Sequence, residues 1–457
     1  MKPKLQSFLG LAAALTVGVP GAAEAGAFPF PVSQEILKNG LRVLFVPMDS
    51  PGLVAYYTAV RTGSRNEVEV GHTGFAHFFE HMMFRGTKAN PNFDGQMADL
   101  GWHNNAFTSD DQTVYTDFGP TARLAEVMAL EADRFQNLSY AEPAFRTEAL
   151  AVLGEYNKGA AAPWLKLDET LAGTAFTRHT YRHTTMGYLD DIKAMPGKYL
   201  YSKKFHDRFY QPDNCIVIVA GDFDRARVLG DLEKFYGAWK GRAAQTKVPA
   251  EPPQTAERRA SVSWASPTMP RLLLGYKVPP AADRRTAAAL DVIQAYLFGE
   301  TGLLHKSLVL EKQIAQPFQE WSQPHRDPGL WAILATAKSP EALPEIERAI
   351  DAALSELHAG HVDETRLARI KSNRRYGLLL GLVDPEAVAN LLAWTISVTG
   401  ELDAVDQYVA SLDTLTPADI AAVARERLVS TGRTVVTLTH APAPAEKSME
   451  TEKAKEK

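Results

Sequence analysis

The spacing of apolar residues changes period many times along the chain. Alternation, or a short β-branched run between turn residues, predicts strands at 54–60, 104–108, 113–118, 214–221, 271–278, 330–336 and 434–439. Asn39-Gly40, set between apolar segments, predicts a hairpin within 34–47. Apolar stripes at three- and four-residue spacing predict helices at 94–100, 143–158, 164–176, 226–239, 285–298, 303–312, 344–358 and 363–380. Others are expected from about Gly74, over 121–134 with Thr121 as cap, and over 196–209. Strand groups and helix groups alternate without a strict βαβ rhythm, which points to an α+β fold.

The stretch 241–258 has no apolar period and is rich in Pro, Ala, Gln and Thr, as a linker is. The order of elements before it returns faintly after it, suggesting a duplicated domain, 26–240 and 259–440. At the N-terminus Lys2 and Lys4 precede an apolar run from Phe8 to Val19 and the small-residue site Ala23-Glu24-Ala25. That is the pattern of a secretory signal, residues 1–25, and the run is too short for a span of roughly twenty residues. Export to the periplasm is the expected location. No later segment is long and apolar enough to span a membrane. Residues 441–457 run from Ala and Pro into mixed Glu and Lys, a solvated tail.

The formal charge is −5 over 457 residues, and mild acidity argues against nucleic acid as a partner. The single cysteine, Cys215, sits in the apolar run Cys215 to Ala220 and reads as a core thiol without a disulfide partner.

The chemistry concentrates in His77-Phe78-Phe79-Glu80-His81. On a helix, residues three and four apart share a face, so two imidazoles can hold one zinc ion with a carboxylate beside them to take a proton from water. A third ligand is needed, and Glu155 is the best candidate. Glu148 and Glu155 are seven apart, two turns, on one face of a largely apolar helix. The same spacing fits two solvated carboxylates, and the HxxEH helix is what favours the metal. The pairs His179/His183 and His358/His361 read as loop and helix-end residues, and His72 and His103 stay open as neighbours of the motif.

These residues resemble the pitrilysin family of inverted zincins, which includes insulin-degrading enzyme and mitochondrial processing peptidase. The likeness extends over nearly the whole mature chain and takes in Gly86-Thr87, Asn105 to Thr108, Tyr181-Arg182-His183 and Pro212-Asp213-Asn214. It implies two homologous domains, each a mainly antiparallel sheet covered by helices. It also implies a zinc-dependent endopeptidase with one zinc per chain, held by His77, His81 and Glu155, and Glu80 as the base. Glu148 would be an auxiliary acidic residue, and Asn105, Ala106, Phe107 and Thr108 the edge strand on which a peptide lies.

One departure stands out. Members of the family carry, in the half without the motif, an Arg and a Tyr seven residues later that hold substrate. Val309 and Gln316 occupy those positions here. Neither can supply a guanidinium or phenol. The chain therefore reads as the zinc-bearing half of a two-chain enzyme whose homologous partner supplies the pair, a homodimer being the other arrangement. The alternative is a non-catalytic scaffold or binding subunit of a larger complex, a role in which the motif is typically lost.

Overall fold

In the computed structural model of the protein, the described residues are 27–440. The expected signal (1–25) and tail (441–457) lie outside them.

The β-branched runs form eleven strands among the described residues, divided between two sheets. The first contains β1 (Ser33–Ile36), β2 (Arg42–Pro47), β3 (Leu53–Val60), β4 (His103–Thr108), β5 (Thr113–Pro120) and β6 (Cys215–Gly221), in the order β1-β2-β6-β3-β5-β4. The second contains β7 (Arg258–Trp264), β8 (Arg271–Val278), β9 (Gln319–Glu320), β10 (Gly329–Thr336) and β11 (Arg433–His440), in the order β7-β11-β8-β10-β9. Gly40, at φ +97°, makes the expected turn between β1 and β2.

The duplication that was faint in sequence is plain in topology. Without β1, both sheets place their first strand parallel to their last, β2 beside β6 and β7 beside β11. The second strand then pairs antiparallel with the last, and a hairpin follows outward: β3-β5-β4 in one, β8-β10-β9 in the other. The sheets are mainly antiparallel, as the resemblance implied. The counterpart of the six-residue β4 is β9, only two residues long.

Each sheet packs one face on helices of its own half. The first core sets Phe75, Phe78, Phe79, Phe145 and Phe205 against Val43, Phe45 and Val217. The second sets Val292, Ile293, Ile346 and Ile350 against Leu272, Leu274 and Ile333. The opposite faces are covered reciprocally. Helix Pro385–Thr399, from the second half, lays Val388, Leu392 and Ile396 on Leu44, Ala55 and Ile218 of the first sheet. Helix Pro163–Ala175, from the first half, lays Leu167 and Leu171 on Leu273, Val436 and Leu438 of the second. Each fully buried aliphatic side chain there is worth about 1.5–3 kcal/mol.

Some expectations change in detail. The helix expected over 121–134 starts as a tight turn, Thr121–Arg123, and becomes α-helical at Leu124, so Thr121 is not its cap. The helix expected over 196–209 spans Tyr199–Phe209; its first residues instead form a tight turn, Met195–Gly197, after a separate short helix, Leu189–Ala194. The stretch expected as helix over 303–312 is π-helical over His305–Glu311. The 241–258 stretch is tied down, because Glu251 accepts the backbone N–H groups of Thr177, Arg178 and His179. Cys215 is buried, and burial raises its thiol pKa, in keeping with a core thiol. No helix among the described residues is long and apolar enough to cross a membrane.

Candidate metal centre

Helix Phe75–Met83 buries Phe75, Phe78, Phe79, Met82 and Met83 in the first core, which turns His77, Glu80 and His81 toward its less buried side. Its start is built tightly. Gly74 takes φ +87°, and a Cβ there would meet Ile192 Cδ1 at 2.4 Å. Just before it, the buried carboxylate of Glu67 accepts the N–H groups of Gly74 and Ala76, both at 2.8 Å. A carboxyl oxygen at a helix N-terminus satisfies donors that the helix itself leaves free. Burial pushes Glu67 up to about 8 against the pull of these bonds. Glu67 escapes a reading of the sequence because it acts across a loop, seven residues before the capping residue Gly74 rather than at the capping position.

The side chains then converge. His77 Nε2 and His81 Nε2 are 3.2 Å apart. Glu155 Oε2, from helix Glu142–Ala160, lies 3.2 Å from His81 Nε2 and 3.6 Å from His77 Nε2. Among the described residues this is the group of three potential ligands whose donor atoms all fall within 4.8 Å of one another. A tetrahedral zinc about 2.0–2.1 Å from each donor would separate them by roughly 3.3–3.4 Å. The observed edges fit that ion.

The electrostatics fit as well. Glu148 Oε1 lies 3.0 Å from His81 Nδ1, which places the ring proton there and leaves Nε2 a free lone pair. Arg85 Nε donates to the other oxygen of Glu148 at 2.6 Å. The bond with Glu148 raises His81 above its ordinary pKa while burial opposes it. The same bond, with help from Arg85 and against burial, holds Glu148 below the usual carboxylate range. His77 is lowered to about 4, by burial first and then by His81, with Glu155 opposing. A neutral, lone-pair-bearing imidazole is the form that binds metal. His77 Nδ1 has no hydrogen-bond partner among the described residues, so packing and the helix hold this ring.

Glu80 points to the other side of the pair. Its Oε2 accepts the hydroxyl of Thr108 at 2.6 Å, and burial raises its carboxyl against that bond. Glu80, His81, Arg85 and Glu148 line an open crevice of about 520 Å³.

Thr108 ends β4, the outer strand of the first sheet. Ser109 N–H pairs with Gln112 C=O, and the Ala106 N–H turns to its neighbour's side chain, Asn105 Oδ1, at 2.9 Å. Alternation in an antiparallel ladder then leaves the main-chain groups of Asn104, Ala106 and Thr108 facing away from β5. Phe107, on the other face, stacks on Trp394 of the second half with centroids 5.3 Å apart. All four residues expected on the substrate strand therefore lie on the outermost strand of the sheet, Ala106 and Thr108 with main-chain groups turned away from β5, and its last residue touches Glu80.

Four other histidines have their partners elsewhere. His179 Nε2 bonds Asp327 at 2.9 Å, His358 Nε2 faces the carbonyl of Ala424, His361 faces Glu356, and His72 stacks on Tyr201. Val309 packs partly buried on the second core, and Gln316 is exposed, its amide beside Met269 Sδ.

Comparison with known proteins agrees with this geometry. The family described as Insulinase (Peptidase family M16) matches residues 54–188, and the one described as Peptidase M16 inactive domain matches residues 202–374. The chain is 29% identical over 442 residues to the zinc protease PqqE of Helicobacter pylori, covering 95% of this chain and 98% of that protein. It is 24% identical to a probable mitochondrial-processing peptidase subunit beta of Schizosaccharomyces pombe, covering 86% and 88%. The crystal structure of a protease from Helicobacter pylori superposes with a TM-score of 0.82 at 29% identity, over 90% of this chain and 99% of that one. Its α+β fold of two helix-covered sheets, its HxxEH helix and these matches show that the chain belongs to the M16 peptidase family, that of pitrilysin and insulinase.

Proposed function

We propose that the protein is a zinc-dependent endopeptidase acting on peptides or short unfolded segments. The observation that carries this reading is the convergence of His77 Nε2, His81 Nε2 and Glu155 Oε2 at 3.2–3.6 Å beside an acid bound to the end of a free strand edge. His77, His81 and Glu155 hold the ion. When bound, zinc supplies Lewis acidity, polarising the scissile carbonyl and lowering the pKa of water. Glu148 positions His81 through Nδ1.

Glu80 is the general base. Its carboxylate takes the proton of the attacking water and returns it to the leaving amine nitrogen. Thr108 fixes its orientation. The substrate backbone adds to β4, exchanging hydrogen bonds with the outward groups of Asn104, Ala106 and Thr108 while Asn105 releases the Ala106 N–H. That register sets a peptide bond beside Glu80.

The pair supplied elsewhere in the family by Arg and Tyr is absent from the 309 and 316 positions, so a second chain completes the site. A homologous partner carrying that pair fits best. Export to the periplasm follows from the N-terminal signal pattern.

The test is zinc analysis and peptide cleavage in wild type and Glu80→Gln. The variant should retain one zinc per chain and lose turnover by about 10²–10⁴-fold. Unchanged turnover would remove Glu80 from the role, and full activity of the purified chain as a monomer would end the two-chain reading.

A further inference from the structure

Four helices of the second half, Arg284–Leu297, Glu364–Gly381, Pro385–Thr399 and Ala404–Thr414, leave a cavity of about 420 Å³ between them. That is about fourteen water volumes at ~30 Å³ each, and ligand sites of this size are mostly apolar with a few placed polar groups. Leu378, Leu391, Trp394, Ala404 and Val405 supply the apolar wall. Most polar groups on the wall are already engaged. Asp291 meets Arg374 Nη2 at 2.9 Å through one oxygen and accepts the Tyr408 hydroxyl through the other. The hydroxyls of Thr395 and Thr399 donate to carbonyls one turn back, at 2.8 and 2.6 Å. Arg284 donates to the Ala281 carbonyl and, at 3.0 Å, to Glu401, which is not part of the wall.

The exception is Arg374. Its Nη2 also donates to Gln294 Oε1 at 2.8 Å, so the guanidinium is fixed in place. Among the described residues its Nη1 has no hydrogen-bond partner, and neither has its buried Nε. The side chain is 34% exposed, which puts it at the mouth of the cavity, and Leu378 follows one turn later on the same helix face. Of the three charged side chains on the wall, Arg284, Asp291 and Arg374, two are positive. A fixed guanidinium with a free donor beside an apolar hollow matches an anionic head on an apolar body.

We propose that this cavity binds an apolar monocarboxylate of about a dozen non-hydrogen atoms, its carboxylate on Arg374 Nη1 and its body against Trp394 and the aliphatic wall. The site reaches the strand edge described above. Trp394 also stacks on Phe107 of β4, with centroids 5.3 Å apart and ring planes at 12°. A body packed on Trp394 steadies that strand and lowers the ordering cost of laying a peptide on it. This link to the substrate rests on the peptidase reading, and the binding of the carboxylate does not.

The test is calorimetric titration of the zinc-loaded Glu80→Gln protein with 2-naphthoate, with 2-naphthamide as a neutral isostere, and with acetate, which carries the head alone. Naphthoate should bind at least tenfold more tightly than either. Arg374→Gln should bring naphthoate down to the affinity of the amide. Ala287→Leu, which fills the cavity from a half-buried position without removing a charge, should cost naphthoate at least tenfold. Equal binding of naphthoate and naphthamide, or naphthoate binding unaltered by Ala287→Leu, overturns the proposal. A hexapeptide titrated into the same protein should bind at least threefold more tightly once naphthoate is saturating, and an unchanged affinity overturns the link to β4. Naphthoate binding in a protein that neither binds nor cleaves peptide would overturn the peptidase reading and leave the carboxylate site standing.

Discussion

His81 is gripped from both ring nitrogens, Nε2 toward His77 and Glu155, Nδ1 toward Glu148. The carboxylate of Glu148 is itself steadied by Arg85. Glu148→Ala should therefore leave the three ligands in place and weaken zinc by about 10–100-fold, measured by competition with a chelator. The spacing of the HxxEH residues made His77, Glu80 and His81 legible in the sequence, because a helix dictates which side chains share a face. Spacing could not separate the roles of Glu148 and Glu155, which share a face two turns apart. Only the approach angle of the second helix decides which meets Nε2 and which meets Nδ1. Glu67 and Arg85 were illegible, since their partners are set by loops and by the helix exit.

At the scale of elements, the motif helix depends on its start. Gly74→Ala would put a Cβ into a left-handed backbone, at about 1–2 kcal/mol, and drive it against Ile192 Cδ1 at 2.4 Å and the Met186 carbonyl at 2.9 Å. A loss of about 2–4 kcal/mol is expected, seen as a lower thermal midpoint with weakened zinc binding, because His77 lies in the first turn. Strands with β-branched runs were read correctly, and so were most helices with an apolar stripe, but Ala404–Thr414 and Pro417–Arg427 were not expected. Irregular ones were misread. The His305–Glu311 segment has the spacing of an α-helix, yet it is π-helical, with Leu308 buried in the second core. Helix Pro385–Thr399 has too many apolar positions for a simple stripe, since it contacts both its own half and the first sheet.

For the whole molecule, Asp327 is a charged link between halves. It bonds Arg65 at 2.6 Å and His179 at 2.9 Å, both from the first half. Burial works against its carboxylate, yet the bonds from His179 and Arg65 hold its pKa well below the ordinary value of 3.8. A depressed acid stabilises the folded state above its unfolded pKa and loses that contribution as pH falls through the folded one. Asp327→Asn should thus lower stability by about 1 kcal/mol at pH 7, after allowing for partial exposure, and the gap to wild type should narrow below about pH 4. Thermal melts at pH 7 and pH 3 would show it.

The reciprocal helices bear on the domains as well. The boundary at 241–258 divides the sheets, but not the helices that cover them. Fragments 27–240 and 259–440 should each lack cooperative melting alone and regain it when mixed, as followed by circular dichroism. Independent two-state melting of both would contradict the interlock.

That exchange also orders events in time. When residue 240 has left the ribosome, the first sheet still shows Leu44, Ala55 and Ile218 uncovered, and the helix that closes over them begins at Pro385. A nascent chain of this design stays open for most of its synthesis, a prey for holdase chaperones and proteases and a cargo a secretion channel can still thread. Completion is then a late, single event, in which both halves close on each other at once.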